Sequence, residues 1–243
     1  MPRPGGASSA YLVRSDQALI LLDAGTGSFS KLALAADYRR LGAVVISHMH
    51  ADHFFDLVPF RYALKYGHPP VERRVPLWLP PGGCERLHAL RRAVSVDAAE
   101  DFFDTLFEVR EYDPRELLVV GDVTLRFQRT RHYVEAYAVR AERRGASITY
   151  SSDTAPCDAL VELARGASIF LCEAGFGLEP EKAAQPGHCT AEEAGEMAQR
   201  AYVSRLVLTH YPAALEPQAL VDAAKRRFAG EVLAANDGLT LEV

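Results

Sequence analysis

Val44-Val45-Ile46-Ser47-His48-Met49-His50-Ala51-Asp52-His53 decides the reading of this 243-residue chain. Val44 to Ile46 is a short apolar run bounded by Gly42 and Ser47, which predicts a buried strand. The residues after it then lie in a loop at a sheet edge, where closely spaced side chains converge as they would not on a straight strand or helix. His48, His50, Asp52 and His53 put three imidazoles and one carboxylate into this short run. That donor mix suits borderline divalent cations such as zinc. Four donors so close together strain the shell of one ion. Two adjacent ions are the simpler arrangement, with His48 and His50 on one and Asp52 and His53 on the other.

Each ion needs further ligands from distant sequence, and three candidates stand at predicted strand ends. His132 follows Val123–Gln128, Asp153 follows Ile148-Thr149-Tyr150, and His210 follows Leu206-Val207-Leu208. A single His after a strand is ordinarily a surface residue. A ligand type placed after an apolar strand four times over predicts convergence on one rim of the sheets.

Around these points the chain reads as short strands and helices. Strands are predicted at Tyr11–Val13, Leu19–Leu22, Val75–Leu79, Leu117–Val120, Val123–Gln128, Ala136–Arg140 and Ser147–Ser151, with a hairpin turn at Ser15–Gln17. Helices are predicted at Ser30–Arg39, with Leu32, Leu34 and Ala35 inward, and at Asp56–Tyr66, Gly83–Arg92 and Asp97–Leu106. The second half alternates: helices Cys157–Ala164, Ala191–Ala201 and Pro217–Phe228, strands Ser168–Cys172, Leu206–Thr209, Glu231–Ala234 and Leu239–Val243. Strands in both halves with helices between them predict an α/β chain of two stacked sheets with helices outside. No stretch reads as a linker, so residues 1–243 are expected to form one domain. Trp78 is expected in the core, and His68 and His88 at the surface.

Net charge is −5, which argues against a generally basic nucleic-acid-coating surface. Cys84, Cys157, Cys172 and Cys189 form no C-x-x-C pair and no disulfide framework, and free thiols fit a reducing compartment. The first residues lack an apolar signal core, and no apolar run approaches the roughly 18 residues of a membrane span. A cytoplasmic protein is expected.

In order along nearly the whole chain, Leu22-Asp23-Ala24-Gly25, the His48–His53 run, His132, Ser152-Asp153-Thr154 and His210 resemble the metallo-β-lactamase superfamily. The resemblance implies a four-layer αββα sandwich with a dinuclear site, zinc first and manganese second among the metals. It implies that His48, His50 and His132 hold one ion, that Asp52, His53 and His210 hold the other, and that Asp153 bridges. Leu171-Cys172-Glu173-Ala174-Gly175-Phe176 and Gly187-His188-Cys189-Thr190-Ala191-Glu192-Glu193-Ala194 are similar to segments of the ribonuclease Z and compact phosphodiesterase branch. There the His contacts the scissile phosphate and the Glu orients it, which carries over to His188 and Glu173. The implied catalytic set is Asp52, His188 and Glu173. Thr190 with Glu193 also forms a capping box, placing His188 just ahead of a helix N-terminus, where anions are favoured.

Two departures move the expected substrate. Only Tyr133 to Ser152 separates His132 from Asp153, too little for the tRNA-gripping arm of ribonuclease Z, and no basic Pro-Lys-x-Arg-Asn-type loop occurs. Ser152 also replaces the Gly common before this Asp. The expected activity is a metal-dependent phosphodiesterase acting on a small or cyclic nucleotide, without membrane partners, with homodimers among its relatives. The alternatives are a ribonuclease Z-type tRNA 3′ endonuclease and a thioester or lactone hydrolase on the same site. A non-catalytic scaffold has no use for a full ligand set, and the iron redox branch carries Glu where His50 stands.

Overall fold

Ser15 accepts hydrogen bonds on its hydroxyl from the backbone N–H of Gln17 and Ala18, at 3.3 and 2.9 Å, and the chain turns there. The turn joins β1 (Tyr11–Arg14) to β2 (Leu19–Leu22) as an antiparallel hairpin, as the sequence predicts. The computed structural model describes residues 4–71, 73–95, 101–180 and 186–243. Its contacts divide the chain into two units, one of Ala7–Asp113 with Val120–Asp122, the other of Pro114–Val119 and Val123–Val243.

In the first unit α1 (Ser28–Ala35), β3 (Ala43–Val45), α2 (Ala51–Phe54), α3 (Leu57–Tyr66), β4 (Val75–Leu79), α4 (Gly83–Val94) and β5 (Phe107–Glu111) follow the hairpin. The sheet order is β1-β2-β3-β4-β5, parallel from β2 onward. All of β3 is buried, the mark of a parallel strand covered on both faces. Its core holds Leu21, Val44, Ile46, Leu57, Phe60, Leu77 and Phe107.

Several expectations need correction here. The first helix starts and ends earlier than predicted, because Asp37 accepts from Arg39 N–H and starts a separate 3₁₀ turn at Tyr38–Arg40. Leu32 points inward, but Leu34 is 88% exposed and Ala35 is exposed as well. In the predicted helix Asp97–Leu106, residues 97–100 lie outside the described residues. The rest, 101–106, forms turns, and strand β5 follows unannounced. Trp78 is only half-buried, with the Arg110 guanidinium 5.5 Å from its ring centroid. Asp52 and His53 sit on the short helix α2 rather than in a loop.

After β6 (Leu118–Val120), the second unit runs β7 (Val123–Arg129), β8 (Tyr137–Arg143), β9 (Ala146–Tyr150), α5 (Asp158–Ala164), β10 (Ile169–Glu173), α6 (Ala191–Arg200), β11 (Arg205–Thr209), α7 (Pro217–Lys225) and β12 (Glu231–Ala234). The sheet order is β12-β11-β10-β9-β8-β7-β6, with β9 to β12 parallel and β7, β8 and β9 antiparallel. Arg144 and Gly145, both at positive φ, close the β8–β9 hairpin in two residues. Helices α5, α6 and α7 bury Leu160, Met197, Leu220 and their neighbours against Phe170, Leu206 and Leu208 of the sheet. The strand predicted at Leu239–Val243 does not form; these residues are irregular and largely exposed, and β12 remains the edge of its sheet. No described helix is long and apolar enough to cross a membrane.

Gly195 inside α6 costs helix stability of about 1 kcal/mol relative to Ala. It stands there because a Cβ would lie 2.4 Å from the Ala224 carbonyl oxygen of α7. Gly195→Ala is therefore expected to destabilise the protein, by about 1–3 kcal/mol through overpacking. A urea midpoint at or above that of the parent would contradict this packing.

Candidate metal centre and acid pair

In the first unit the motif is gripped from the end of β2. Asp23 is fully buried and takes a left-handed φ of 62°. Its carboxylate accepts from Ser47 N–H at 2.7 Å, from Ser47 Oγ at 2.8 Å and from His53 Nδ1 at 2.8 Å. The His53 proton therefore sits on Nδ1, and Nε2 is left as the donor atom toward a cation, 3.8 Å from Asp52 Oδ2. Ala24 N–H bonds the His53 carbonyl at 2.7 Å, and a Cβ on Gly25 would fall 2.0 Å from the Asp52 carbonyl oxygen. Only glycine lets this turn lie against the motif. His48 Nε2 and His50 Nδ1 are 3.1 Å apart. Two nitrogens bound tetrahedrally at 2.0–2.1 Å stand about 3.3 Å apart, so this pair fits one zinc-like ion.

In the second unit His132, Asp153 and His210 come after strands β7, β9 and β11, and His188 comes just ahead of α6. His132 Nδ1 donates to the Gly187 carbonyl at 2.7 Å, which leaves Nε2 facing Asp153 Oδ2 at 3.9 Å. Asp153 follows β9 and is almost fully buried, with His210 Nδ1 3.6 Å from its Oδ1. Both Ser152 and His210 adopt left-handed φ, 55° and 51°. The Gly expected before this Asp is thus a conformational preference that Ser152 meets with strain.

Glu173 ends β10 fully buried. Thr154 N–H and Gly175 N–H each donate to its carboxylate at 2.6 Å, and Cys189 N–H does so at 3.4 Å. His188 Nδ1 lies 2.9 Å from Glu173 Oε1. Burial pushes the Glu173 carboxyl above its ordinary range, and the bond from His188 pulls it back. A Cβ on Gly175 would approach His188 Nδ1 to 2.9 Å, so the pair also needs this glycine. The predicted capping box is present: Thr190 Oγ1 accepts from Glu193 N–H, and Glu193 Oε2 accepts from Thr190 N–H. Asp153, His188 and His210 offer donor atoms within 4.8 Å of one another. The His188 nitrogen that approaches Asp153, at 4.0 Å, is Nδ1, which Glu173 already holds.

Sequence reasoning gave no role to Asp23, Ser47 or Thr154. The available signal was an acid at the end of an apolar strand followed by Ala-Gly. Cys189 is fully buried and donates its thiol to the Glu173 carbonyl at 3.0 Å. Its thiol is held well above the usual range by the neighbouring Cys172 and by burial, which removes it as a nucleophile. Burial and the adjacent Glu111 push Cys84 up to about 11.

Two outcomes are expected. Asp23→Asn should weaken metal binding roughly 10- to 100-fold, since one amide oxygen cannot accept from both Ser47 N–H and His53 Nδ1–H as the two carboxylate oxygens do; unchanged metal affinity by competition with a chromogenic chelator would refute that role. At pH 8 the folded protein should alkylate slowly at Cys84 and not at Cys172 or Cys189, read by peptide mass; rapid labelling of Cys189 would contradict its burial.

The profile of the Beta-lactamase superfamily domain matches residues 19–211. An uncharacterised protein of Mycobacterium leprae (strain TN) is 35% identical over 246 residues, covering 99% of this chain and 84% of the relative. Ribonuclease Z of Mycolicibacterium paratuberculosis is 30% identical over 260 residues, covering 98% and 92%. Among solved structures, the metallo-β-lactamase fold protein YhfI of Bacillus subtilis superposes with a TM-score of 0.85 at 28% identity, covering 97% of this chain and 92% of that one. A diphosphatase from the PhnP family gives 0.75 at 22% identity, covering 96% and 83%. Such a fold with these His and Asp sets implies divalent-metal binding. With its two mixed sheets and their helices, the chain belongs to the metallo-β-lactamase superfamily.

Proposed function

We propose that the chain is a dinuclear metal-dependent phosphodiesterase whose proton donor is His188. The carrying observation is the Glu173–His188 pair: a fully buried carboxylate, fixed by three backbone N–H groups, holds Nδ1 of an imidazole whose side chain is 16% exposed. His48, His50 and His132 would hold one cation, Asp52, His53 and His210 the other, and Asp153 would bridge. Zinc suits the imidazole-rich donors, with manganese second. Bound there, two divalent cations would supply Lewis acidity toward a phosphoryl oxygen and lower the pKa of water.

The residues of the chain do the rest. Glu173 keeps His188 Nδ1 protonated and its Nε2 directed away from the carboxylate. As water adds to phosphorus in line and releases a proton to solvent, the cationic His188 gives its Nε2 proton to the leaving oxygen, and the neutral imidazole is later reprotonated from solvent. The Asp52 and Asp153 carboxylates balance the cationic charge of the site. Support for a compact substrate comes from the span after His132. The strands β8 and β9 and their two-residue turn take up most of it, with no tRNA-gripping arm inserted. The similarity to ribonuclease Z keeps a tRNA 3′ endonuclease as the second reading. A thioester or lactone hydrolase is the third.

His188→Ala should cut hydrolysis of 3′,5′-cyclic adenosine phosphate, whose leaving group is an alkoxide, roughly 100- to 10,000-fold with metal content intact. Loss of metal in that variant, or undiminished turnover with a thioester as the better substrate, would sink the reading. Asp153→Ala should lose both metal and activity, and full activity would remove it from the bridging position. Chelation should abolish turnover, and added zinc or manganese should restore it. A screen of cyclic nucleotides, linear oligoribonucleotides and precursor tRNA then ranks the substrates.

A further inference from the structure

Tyr133 follows His132 and borders the acid pair. Its ring centroid is 5.0 Å from the His132 ring and 5.7 Å from the His188 ring. It also lies over Gly187, whose absent Cβ would come within 2.5 Å of the Tyr133 ring carbons. Gly187 in turn supplies the carbonyl that fixes His132. One side of the Tyr133 ring is therefore set by backbone and imidazoles, yet 53% of the residue is exposed. Phe176, half-buried and edge-on to His188 at 5.3 Å, completes the aromatic surround. Of these rings, Tyr133 is the one that offers a broad aromatic surface to solvent beside the proton donor.

We propose that Tyr133 is a stacking platform for a planar base carried by the substrate, so that the substrate class is a nucleotide rather than an alkyl or sugar phosphodiester. The placement rests on the phosphodiesterase reading, which puts the scissile phosphate at His188. A phosphate held there puts a base one sugar away, beside the exposed ring. Stacking on an aromatic side chain tolerates any base, because every base has a π-face. It acts equally on substrate and transition state, so it lowers KM and leaves kcat alone. Tyr133 is thus a positioning residue. Its exposure means that truncation does not open the core.

The test uses the metal-loaded full chain and compares adenosine monophosphate with ribose 5-phosphate by calorimetric titration. The parent should prefer the nucleotide. Tyr133→Ala should weaken adenosine monophosphate about 5- to 100-fold while changing ribose 5-phosphate by less than about twofold, and Tyr133→Phe should retain the preference. With 3′,5′-cyclic adenosine phosphate as substrate, Tyr133→Ala should raise KM by the same factor at unchanged kcat. Equal weakening of both ligands would make Tyr133 a mere support for Gly187 and overturn the proposal. No preference in the parent, or no effect of the substitution, would overturn it too. If the base preference depends on Tyr133 but only thioesters are turned over, the platform stands and the phosphodiesterase reading falls.

Discussion

Twice among the described residues a fully buried carboxylate holds the Nδ1 of a histidine, and the candidate chemistry depends on it both times. Asp23 fixes His53 in one unit, and Glu173 fixes His188 in the other. Burying an ion costs several kcal/mol. The cost is offset because backbone N–H groups converge on each anion: Ser47 on Asp23, and Thr154, Gly175 and Cys189 on Glu173. Truncating either acid would leave those donors buried without an acceptor, at about 1–3 kcal/mol each. The orientation of each imidazole is thus written into backbone geometry rather than into side-chain contacts alone.

That geometry is assembled where strands end. Asp23 follows β2, Ser152 and Asp153 follow β9, Glu173 closes β10 and His210 follows β11. Parallel strands deliver their carboxyl ends to the same edge of a sheet, which is why open α/β sheets place ligands there. The turn off each strand is abrupt. Asp23, Ser152 and His210 all adopt left-handed φ without being glycine. Such conformations cost of order 1–3 kcal/mol each and persist where the surrounding structure over-determines them. Ser152 lies beside Asp153, so the strain is spent on aiming candidate ligands.

The parts of the fold legible in the sequence are those written in local chemistry. The Ser15 turn, the capping box at Thr190 and the apolar strands β3, β9, β10 and β11 each carry their own signal. The errors fall where tertiary context decides. Leu34 stands two residues after the buried Leu32, about 200° round the helix, and so faces solvent. Strand β5 carries the apolar–polar alternation Phe107-Glu108-Val109-Arg110, too short to stand apart from the helix expected up to Leu106. Leu239–Val243 has strand composition but stays irregular. At the site, residue types at strand ends pointed to donors, yet Asp23 went without a role: its partner Ser47 is distant in sequence, and a buried acid at a turn reads like any turn acid.

The donor set alone does not choose a reaction, because acyl and phosphoryl hydrolysis use the same cations. The leaving group separates a thioester from a phosphodiester. A thiolate, from a group with pKa near 8.5, departs unprotonated at neutral pH. An alkoxide, whose conjugate acid titrates far higher, needs a proton as the bond breaks, and a positioned acid is worth typically 10²–10⁴ in rate. Under the proposed function, the imidazole that buried Glu173 holds beside Asp153 would be the proton donor that an alkoxide leaving group requires. The Gly175 that admits this imidazole and the Gly187 that seats Tyr133 then play matching parts: one glycine makes room for His188, the proposed proton donor, and the other for the ring proposed to hold what the phosphate carries.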